Sequence, residues 1–509
     1  MKKFIVAHDL GTSGNKASLV STDGKILKSF TQKYHIEHPK PGWAQQDPEQ
    51  WWQAVCCCNR EILRGVNPNE IAGICLTGQM MCCLPVDSGG HPLYPALIWA
   101  DGRASEEAAT LRKLIGDDVF YKTVGMRISA NYGLPKMMWV KKHEPDIYRA
   151  TFKFLSPKDY INLRLTGQFS IDPENAAFWH CYDLNKRDWA PHLLQAAGID
   201  SEKLPHIVDI STVIGTVLSD AATQCGLLQG TPVLMGPGDG SAATLGAAVL
   251  CTGEAYISLG TSSWVCMLSG NDCLDRKQRI AKINYLDSLR YSGSMQAGGY
   301  AYRWLQDVLC QPEAARAAKE DLSLHKLVDE YAATSPAGAG GVLFQPYLMG
   351  ERSPLWDTRL RGAFIGLTSK TTRADLCRSV MEGVALHLNW IYRCILEMNT
   401  IARATSIKLV GGGAKSSVWS QIFADVFGMP IEIAARPEHA GALGTAVVAG
   451  VGLGLYKDYL ILRQFQPVDL VIEPDLSKSA LYRELSFIFE DSIGAMSKTH
   501  HRLSELSSI

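Results

Sequence analysis

FIVAHDLGTS at residues 4–13 is a short apolar run that ends in a glycine-containing turn, and EAYISLGTS at residues 254–262 repeats this arrangement. The four residues Leu-Gly-Thr-Ser are identical at 10–13 and at 259–262, about half a chain apart. Each turn is followed by more strand-like sequence, so each half of the chain begins with a strand–turn–strand unit. Repetition of this unit in a matching context predicts a duplicated architecture with two similar lobes.

Short apolar runs alternate with longer amphipathic stretches along the rest of the chain. This alternation favours an α/β fold built from mixed sheets and helical layers. We divide the chain into an N-terminal domain, 1–248, and a C-terminal domain, 249–509, and we expect the last fifty residues to be helical and to pack on the second lobe. The sequence predicts strands at 71–77, 231–235 and 407–410, and helices at 48–63, 241–250, 373–398 and 418–427.

The composition is that of an ordinary folded globular protein. Among 509 residues, 46% are hydrophobic and 20% are charged, and the formal net charge is −1. This balance gives no sign of a nucleic-acid or membrane surface. No apolar run reaches the roughly 18 residues of a membrane-spanning helix, and the run at Phe4–Ala7 is too short for a signal peptide.

The 14 cysteines include adjacent ones and no Cys-x-x-Cys pair. Adjacent cysteines seldom bridge each other, and the spacing of a zinc site is missing. We therefore interpret them as reduced thiols and expect a cytoplasmic protein.

The first turn has the residue types of a phosphate-binding loop. Glycine at Gly11 lets backbone N–H groups point inward at phosphate oxygens, and Thr12 and Ser13 add hydroxyl donors. Asp9, at the end of the strand, can hold Mg²⁺ through water, and Lys16 can supply positive charge. The alternative is an ordinary β-hairpin turn. The identical second turn favours phosphate binding.

The segment Gly236–Gly240 lies between the strand predicted at 231–235 and the helix predicted from Ser241. Its glycines allow a ligand to approach Asp239 closely. A helix N-terminus favours the charged form of this carboxylate, so Asp239 could accept a proton from a substrate hydroxyl. The alternative is a plain helix N-cap, a common place for Asp.

The run Gly411–Ser416 follows the strand predicted at 407–410. It fails the P-loop spacing, because Ala414 precedes Lys415 where that motif needs glycine. A triple-glycine turn can still admit a purine or a ribose. The alternative is a turn that only packs a helix against a strand.

A further polar group stands at Gln79, Trp99, Asp101 and Arg103. The polar members can hydrogen-bond a polyol, and the indole offers a face for its C–H side. The alternative is a surface turn plus a solvated Asp–Arg pair. The 13 histidines form no metal-binding pattern and no Gly-x-Ser-x-Gly elbow is present, so zinc-enzyme and hydrolase functions have little support.

Taken together, these motifs resemble the FGGY family of carbohydrate kinases, which belongs to the actin–hexokinase–heat-shock-chaperone superfamily with two RNase H-like lobes around a nucleotide cleft. The resemblance covers about residues 4–460 and is closest to the xylulose-kinase type of this family. It rests on the stretches at 41–52, 77–80, 98–103, 157–160, 165–167, 347–354 and 382–385.

The resemblance implies an enzyme that uses ATP and Mg²⁺. It implies that Asp239 is the catalytic base and that Asp9 faces the metal ion, while Gly11, Thr12, Ser13 and Lys16 face the phosphates. Gly260 and Thr261 would hold the γ-phosphate from the other lobe. The adenosine would lie against Gly412, Gly413 and Ala414, and the sugar would be bordered by Gln79, Met80, Met81, Trp99, Asp101 and Asp239.

The expected substrate is D-xylulose or a related ketose. Glycerol is disfavoured, since glycerol-type members carry Arg-Glu where this chain has Gln79-Met80. Other positions depart from the xylulose-kinase pattern: Met81 replaces a usual His, Ala100 and Gly240 each replace a usual Asn, and the Asp-x-Ser-x-Ala stretch reads Asp-Pro-Glu-Asn-Ala at 172–176.

Other functions stay open at this stage. Another sugar, such as ribulose, a sugar acid such as gluconate, or a polyol could be the acceptor. A non-catalytic sugar or nucleotide sensor and a chaperone-like ATPase are the alternatives from other classes. The expected partners are the sugar and ATP, with no nucleic acid and no membrane, and a homodimer is left open.

Overall fold

A computed structural model describes residues 2–398 and 403–506. The chain forms two compact units. The first unit comprises Met1–Leu250, Lys282–Asp287 and His439–Gln466, and the second comprises Cys251–Ala281, Ser288–Glu438 and Pro467–Ile509. Within the described ranges, no helix has both the length and the apolar character that crossing a membrane requires.

The strands, in chain order, are β1 (Phe4–Leu10), β2 (Gly14–Ser21), β3 (Ile26–Lys33), β4 (Gln45–Gln46), β5 (Ile71–Gly78), β6 (Leu84–Val86), β7 (Ala96–Leu97), β8 (Lys153–Leu155), β9 (Ser170–Ile171), β10 (Tyr182–Asp183), β11 (Asp188–Trp189), β12 (His206–Ile207), β13 (Val213–Thr216), β14 (Pro232–Leu234), β15 (Ala255–Leu259), β16 (Ser263–Ser269), β17 (Ala281–Tyr285), β18 (Ser288–Met295), β19 (Leu343–Gln345), β20 (Ala363–Ile365), β21 (Ile407–Val410), β22 (Ile431–Ala434) and β23 (Val468–Ile472).

The α-helices are α1 (Pro48–Ile62), α2 (Ser105–Ile115), α3 (Asp117–Val124), α4 (Gly133–His143), α5 (Pro145–Ala150), α6 (Pro157–Thr166), α7 (Pro173–Ala177), α8 (Pro191–Ala197), α9 (Ser219–Cys225), α10 (Asp239–Gly246), α11 (Gly299–Leu309), α12 (Gln311–Glu320), α13 (Leu324–Ala333), α14 (Arg373–Leu396), α15 (Ser417–Phe427), α16 (Ala440–Gly452), α17 (Leu462–Phe465) and α18 (Ser479–Leu506).

The main sheet of the first unit has the strand order β13-β14-β5-β1-β2-β3. Strands β1, β2 and β3 form an antiparallel meander, whereas β5 is parallel to β1 and β14 is parallel to β5. The edge strand β13 is antiparallel to β14. Strand β5 is buried along its whole length, which explains its continuous apolar run.

The sheet of the second unit repeats this plan. Its strands follow the order β18-β16-β15-β21-β22-β23. An antiparallel meander, β15-β16-β18, is followed by two parallel pairs, β15-β21 and β21-β22, and then by the antiparallel strand β23. The duplicated architecture of mixed sheets and helices predicted from the twin turns is therefore confirmed.

Most of the predicted elements are present with small shifts at their ends. The strand at 407–410 matches β21, and the helix at 48–63 corresponds to α1, which begins after the N-cap Asp47. The last fifty residues are not all helical, because β23 precedes the long α18. Helix α18 packs on α14 and α15 of the second unit, as expected.

Helix α16 lies with the first unit although it comes late in the chain. It packs against α10 and β1. Two glycines make the approach of α10 and α16 close: a Cβ on Gly246 would overlap the carbonyl oxygen of Ala440, and one on Gly444 would overlap that of Ala242. The predicted domain boundary at 248/249 divides the chain by sequence, whereas the two compact units group residues by their contacts. The boundary therefore remains a prediction.

Candidate active site

The carboxyl ends of three parallel strands bring the first unit's predicted site residues to one edge of the sheet. Leu10 at the end of β1 is paired with Gly78 at the end of β5, and Leu234 at the end of β14 is paired with Cys75 of β5. The turns after these strands contain the phosphate, sugar and base motifs. In open α/β sheets this edge is where ligands bind.

The turn between β1 and β2 contains Gly11, Thr12 and Ser13. Tyr34 donates a hydrogen bond from its hydroxyl to the carbonyl oxygen of Gly11, which fixes this turn from β3's side. Asp9 is half-buried and pairs with Lys16 across the strands. Burial raises the pKa of Asp9, and the positive charge of Lys16 opposes that shift.

The start of α16 lies beside these two residues. Lys16 Nζ is 3.2 Å from His439 Nδ1, immediately before the helix. A Cβ added to Gly441 would lie 3.7 Å from Asp9 Oδ2. The positive end of the helix dipole therefore faces the turn, which favours negative groups such as phosphate there.

The residues present fit Mg²⁺ better than a metal that needs a protein cage. Among residues 2–398 and 403–506, no group of three or more His, Cys, Asp or Glu side chains could hold a metal ion. Magnesium keeps several waters and is commonly held by one or two carboxylates together with substrate phosphates. Asp9, a half-buried carboxylate beside a phosphate-type turn, meets that requirement.

The turn after β5 places Gln79 and Met80 in a buried position. Gln79 donates from Nε2 to Gln46 Oε1 at 2.8 Å. Its own Oε1 is buried and accepts no hydrogen bond from the residues that the structure describes. A buried amide oxygen without a partner is costly, so a sugar hydroxyl that donates to it would be bound favourably.

Two hydrogen-bonded links join the sugar-side residues to the phosphate turn. Gln46, which accepts from Gln79, also donates from Nε2 to the carbonyl oxygen of Thr12 at 2.8 Å. Trp99 donates from its indole Nε1 to Thr12 Oγ1 at 2.8 Å. The predicted sugar and phosphate residues of this unit are thus connected through Thr12.

Asp101 lies in the same region but is fully buried and already hydrogen-bonded. One oxygen accepts from the backbone N–H of Ala44 at 2.7 Å, and Arg103 donates to both oxygens at 2.9 Å. The Arg103 guanidinium is stacked over Trp43, 3.7 Å from the ring centroid. These contacts orient the loop that carries Trp99, whereas direct binding of a sugar by Asp101 remains a prediction.

Two of the residues that depart from the xylulose-kinase pattern differ in their exposure. Met81 is half-buried and adopts the left-handed backbone conformation, with φ of 64°. Ala100 is exposed. A role for Met81 at the sugar remains a prediction.

Asp239 is the first residue of α10, and Gly238 is the N-cap of this helix. The alternative interpretation of Asp239 as the N-cap residue is therefore wrong. The residue is half-buried. Gly236, with φ of 75°, has no room for a side chain because a Cβ would overlap the carbonyl oxygen of Leu76. This close contact with β5 aims the start of α10 toward the Gln79–Met81 turn.

Gly238 is adjacent to both that turn and a buried acid. A Cβ on Gly238 would overlap Met80 Sδ and would lie 2.6 Å from Glu174 Oε2. Glu174 also accepts a hydrogen bond from the backbone N–H of Ser241 at 2.9 Å. The predicted base therefore starts a helix whose first turn touches the sugar-side residues and a buried carboxylate.

In the second unit, the turn between β15 and β16 is held by the start of α11. Gly299 donates its backbone N–H to the carbonyl oxygen of Gly260 at 2.7 Å, and Tyr300 donates to that of Thr261 at 3.0 Å. Thr261 is exposed. The turn is therefore held by backbone hydrogen bonds and is accessible at Thr261. Binding of the γ-phosphate by this turn remains a prediction.

The triple-glycine segment of the second unit forms a 3₁₀ turn, Gly412–Lys415, after β21. Nothing would lie within 4 Å of a Cβ on Gly412, whereas Ala414 is buried. Lys415 forms an ion pair with Glu438 at 3.0 Å. An open glycine face above a buried alanine suits the flat adenosine predicted there.

Three residues of the site are not among those predicted from the sequence, although Gln46 lies within the stretch 41–52 that supports the family resemblance. Gln46 and Lys136 contact the predicted residues Gln79 and Met81 through side chains from distant segments. Glu174, also from a distant segment, contacts the backbone of Ser241, two residues after Asp239. The available signals are the departure of Glu174 from the Asp-x-Ser-x-Ala pattern and the place of Gln46 within the stretch 41–52.

Comparison with known proteins gives a consistent result. Residues 4–246 match the model of the FGGY family of carbohydrate kinases, N-terminal domain, and residues 255–453 match its C-terminal domain. The xylulose kinase of Staphylococcus xylosus is 30% identical over 452 residues, which is 88% of this chain and 91% of that protein.

Solved structures agree on the fold. The gluconate kinase from Lactobacillus acidophilus has a TM-score of 0.91 at 25% identity, with coverage of 99% of this chain and 100% of that one. The ligand-bound xylulose kinase from the same organism has a TM-score of 0.90 at 25% identity, with coverage of 98% and 100%.

Proposed function

Because the chain belongs to the FGGY family of carbohydrate kinases, which makes it an ATP-using phosphotransferase, we propose that its acceptor is D-xylulose or a closely related ketose. The product would be the sugar 5-phosphate. The similarity to a xylulose kinase over 88% of this chain supports this choice. The buried Gln79-Met80 pair at the end of β5 supports a polyhydroxy acceptor.

The observation that carries the proposal is the position of Asp239 at the start of α10, next to Gly238, which nearly touches Met80. Asp239 accepts the proton of the terminal sugar hydroxyl. The hydroxyl oxygen forms a bond to the γ-phosphorus while the bond to the β,γ-bridging oxygen breaks and ADP leaves. The helix N-terminus keeps the carboxylate in its proton-accepting form.

The phosphate groups are assigned to the two turns. Asp9 would hold Mg²⁺, and the backbone of Gly11–Ser13 together with Lys16 would bind phosphate oxygens from the first unit. When bound, the metal ion neutralises charge that spreads over the phosphoryl oxygens. Gly260 and Thr261 are assigned to the γ-phosphate, and Gly412, Gly413 and Ala414 to the adenosine.

A sugar acid such as gluconate is the second candidate acceptor. The similarity to the gluconate kinase of L. acidophilus favours it, because that structure and the xylulose kinase match this chain equally well. The absence of the usual polar residues at Met81, Ala100 and Gly240 removes hydrogen-bonding groups that a xylulose kinase of the family normally has. Against gluconate stands Glu174, a buried carboxylate beside the start of α10.

The test is ADP release with D-xylulose, D-ribulose and D-gluconate as acceptors, with the wild type and Asp239→Asn. We expect turnover with D-xylulose to be the fastest and to fall about 10²–10⁴-fold in the variant, the usual contribution of a general base. ATP binding should be retained, since Asp239 is not assigned to the nucleotide.

Asp220→Asn is the matched control, because Asp220 lies in the first turn of another short helix, α9. It should keep wild-type turnover. Wild-type turnover by Asp239→Asn would refute the base assignment, and fastest turnover with gluconate would refute the ketose assignment.

The thiols support the proposed cytoplasmic location. None of the 14 cysteines, all of which lie in the described ranges, forms a disulfide, and most are buried. Burial raises the pKa of several of them, for example that of Cys75 to about 12, which keeps them as unreactive thiols.

A further inference from the structure

Lys136 is a fully buried lysine on α4, inside the first unit. Its ammonium donates three hydrogen bonds, all to backbone carbonyl oxygens: Ile98 at 2.6 Å, Asn131 at 2.6 Å and Met81 at 2.9 Å. These acceptors use all three protons of the ammonium group. No carboxylate forms an ion pair with it among the residues that the structure describes.

Another buried lysine of this unit provides a contrast. Lys158 lies 2.9 Å from Asp159 and 3.1 Å from Asp172, so its charge is compensated by carboxylates. Burial lowers the pKa of Lys136 to about 8, and the charges of its neighbours, Cys82 and Asp101 among them, compensate only in part. A salt bridge therefore does not explain why a lysine stands at position 136.

The three carbonyl groups belong to the segments that border the proposed sugar site. Met81 ends the Gln79–Met81 turn, and Ile98 immediately precedes Trp99. Asn131 closes the set, because it also donates from Nδ2 to the carbonyl oxygen of Trp99 at 2.9 Å. One ammonium group thus joins the two segments that carry Gln79, Met80 and Trp99.

We propose that Lys136 is a positioning residue for sugar binding, whose ammonium holds the Gln79–Met81 turn at a fixed separation from Trp99. It does not touch the reacting atoms. Hydrogen bonds from a charged donor are stronger than neutral ones. Loss of this donor would remove the hydrogen bonds to the carbonyl oxygens of Met81 and Asn131, whereas that of Ile98 would keep the backbone N–H of Asp101. The two segments would then move apart or admit water, and the sugar-facing surface would lose its shape.

The catalytic part of this proposal rests on the proposed function, so the first test does not depend on turnover. Hydrogen exchange followed by mass spectrometry on the full chain without ligand compares wild type, Lys136→Met and Lys141→Met. Lys141 lies on the same helix and is exposed, which makes it the matched control. In Lys136→Met we expect exchange about tenfold faster in peptides covering 79–83 and 97–102, with no change in those covering β2 and β3.

Unchanged exchange in both peptides would overturn the proposal. If Lys136→Met does not fold, Lys136→Arg replaces it, because arginine keeps the charge but its planar donors cannot reach three separate carbonyl groups in the same geometry. The arginine variant should show the same two peptides exchanging faster. Wild-type exchange in the folded arginine variant would equally overturn the proposal.

The second test is steady-state kinetics with D-xylulose as the probe acceptor. A positioning role predicts that Lys136→Met or Lys136→Arg raises the KM for D-xylulose about tenfold, while the KM for ATP stays within about twofold. A uniform fall in kcat with both KM values unchanged would overturn the role at the sugar. If the wild-type enzyme does not accept D-xylulose, the proposed function fails, and the exchange experiment still decides the role of Lys136.

Discussion

Glu174 is the residue at which the chain departs most in chemistry from the family pattern, since a carboxylate replaces a serine. It is buried, accepts the backbone N–H of Ser241 at 2.9 Å, and lies beside Gly238. A negative charge at this place repels a second negative charge on the acceptor. At an effective dielectric constant of about 20, two unit charges about 8 Å apart repel each other by about 2 kcal/mol.

Glu174→Ser should therefore shift the choice of acceptor. We expect kcat/KM for D-gluconate relative to D-xylulose to rise up to about 30-fold, the factor that about 2 kcal/mol corresponds to, because the repulsion is removed from the anionic acceptor only. Glu174→Gln, which keeps a hydrogen-bond acceptor for Ser241, should have the same effect on the ratio. The measurement is kcat/KM for both acceptors at constant ionic strength.

Glu107→Gln is the matched control, because Glu107 is another buried glutamate of the first unit and pairs with Lys142 at 3.5 Å, away from α10. It should leave the ratio unchanged. An unchanged ratio in both Glu174 variants would show that this carboxylate does not influence the enzyme's preference between the anionic and the neutral acceptor.

Residue types in sequence could identify part of the candidate site and not the rest. Asp9, the two Gly-Thr-Ser turns and Asp239 are flanked by strands and glycines, so local sequence predicts their position. Gln46 and Lys136 act through side-chain contacts with segments 33 to 55 residues away. Such contacts depend on the path of the whole chain, which a local pattern does not contain.

At the scale of elements, the apolar runs and the twin turns were sufficient to predict the parallel strands and the duplicated plan. Strand β23 was missed because it lies at a sheet edge with exposed side chains and therefore lacks a buried apolar pattern. The packing of α16 on α10 and β1 was also not predictable, since it joins segments some 200 to 430 residues apart. The structure shows why Gly246 and Gly444 lie at this contact, because a side chain at either position would overlap the backbone of the facing helix.

The contact between α10 and α16 yields a prediction about stability. Gly246→Ala would bring a methyl group into the carbonyl oxygen of Ala440, so the two helices must separate. We expect a loss of at least about 3 kcal/mol in the free energy of unfolding, at the upper end of overpacking effects. Because α10 begins with Asp239, turnover should fall as well.

Gly494→Ala is the control, since nothing lies within 4 Å of the added methyl group on the long helix α18. There the helix preference of alanine should stabilise the protein by about 0.5–1 kcal/mol. Denaturant unfolding measures both variants. A stability of Gly246→Ala equal to that of the wild type would mean that α10 and α16 do not pack this closely.

At the scale of the whole molecule, stability should depend on pH through buried histidines. Burial lowers the pKa of His8 and of His387 to about 4, and lowers that of His180 well below the ordinary value. Opposing groups exist, because burial raises the pKa of Asp159 to about 6 and that of Glu351 to about 8. The pH dependence of wild-type stability is therefore the sum of several opposing contributions. The contribution of one histidine is measured by substituting that residue.

His8 is suited to this, because it is fully buried and its ring contacts Asn59 and Asn15 at 2.9 and 3.1 Å. Its folded pKa of about 4 lies below the unfolded value of 6.5. The stability it contributes is thus complete above about pH 6.5 and is lost as the pH falls toward 4, because the unfolded chain takes up the proton first. By pH 5 this loss amounts to about 2 kcal/mol.

His8→Gln removes the titrating group. We expect the free-energy difference between wild type and variant to shrink by about 2 kcal/mol from pH 7.5 to pH 5, as measured by denaturant unfolding at each pH. His206→Gln, at an exposed histidine of the same unit, is the control for replacing a histidine by glutamine as such. A constant difference for His8→Gln would mean that His8 is protonated in the folded protein at pH 5, and that the strand β1 leading to Asp9 tolerates a buried charge.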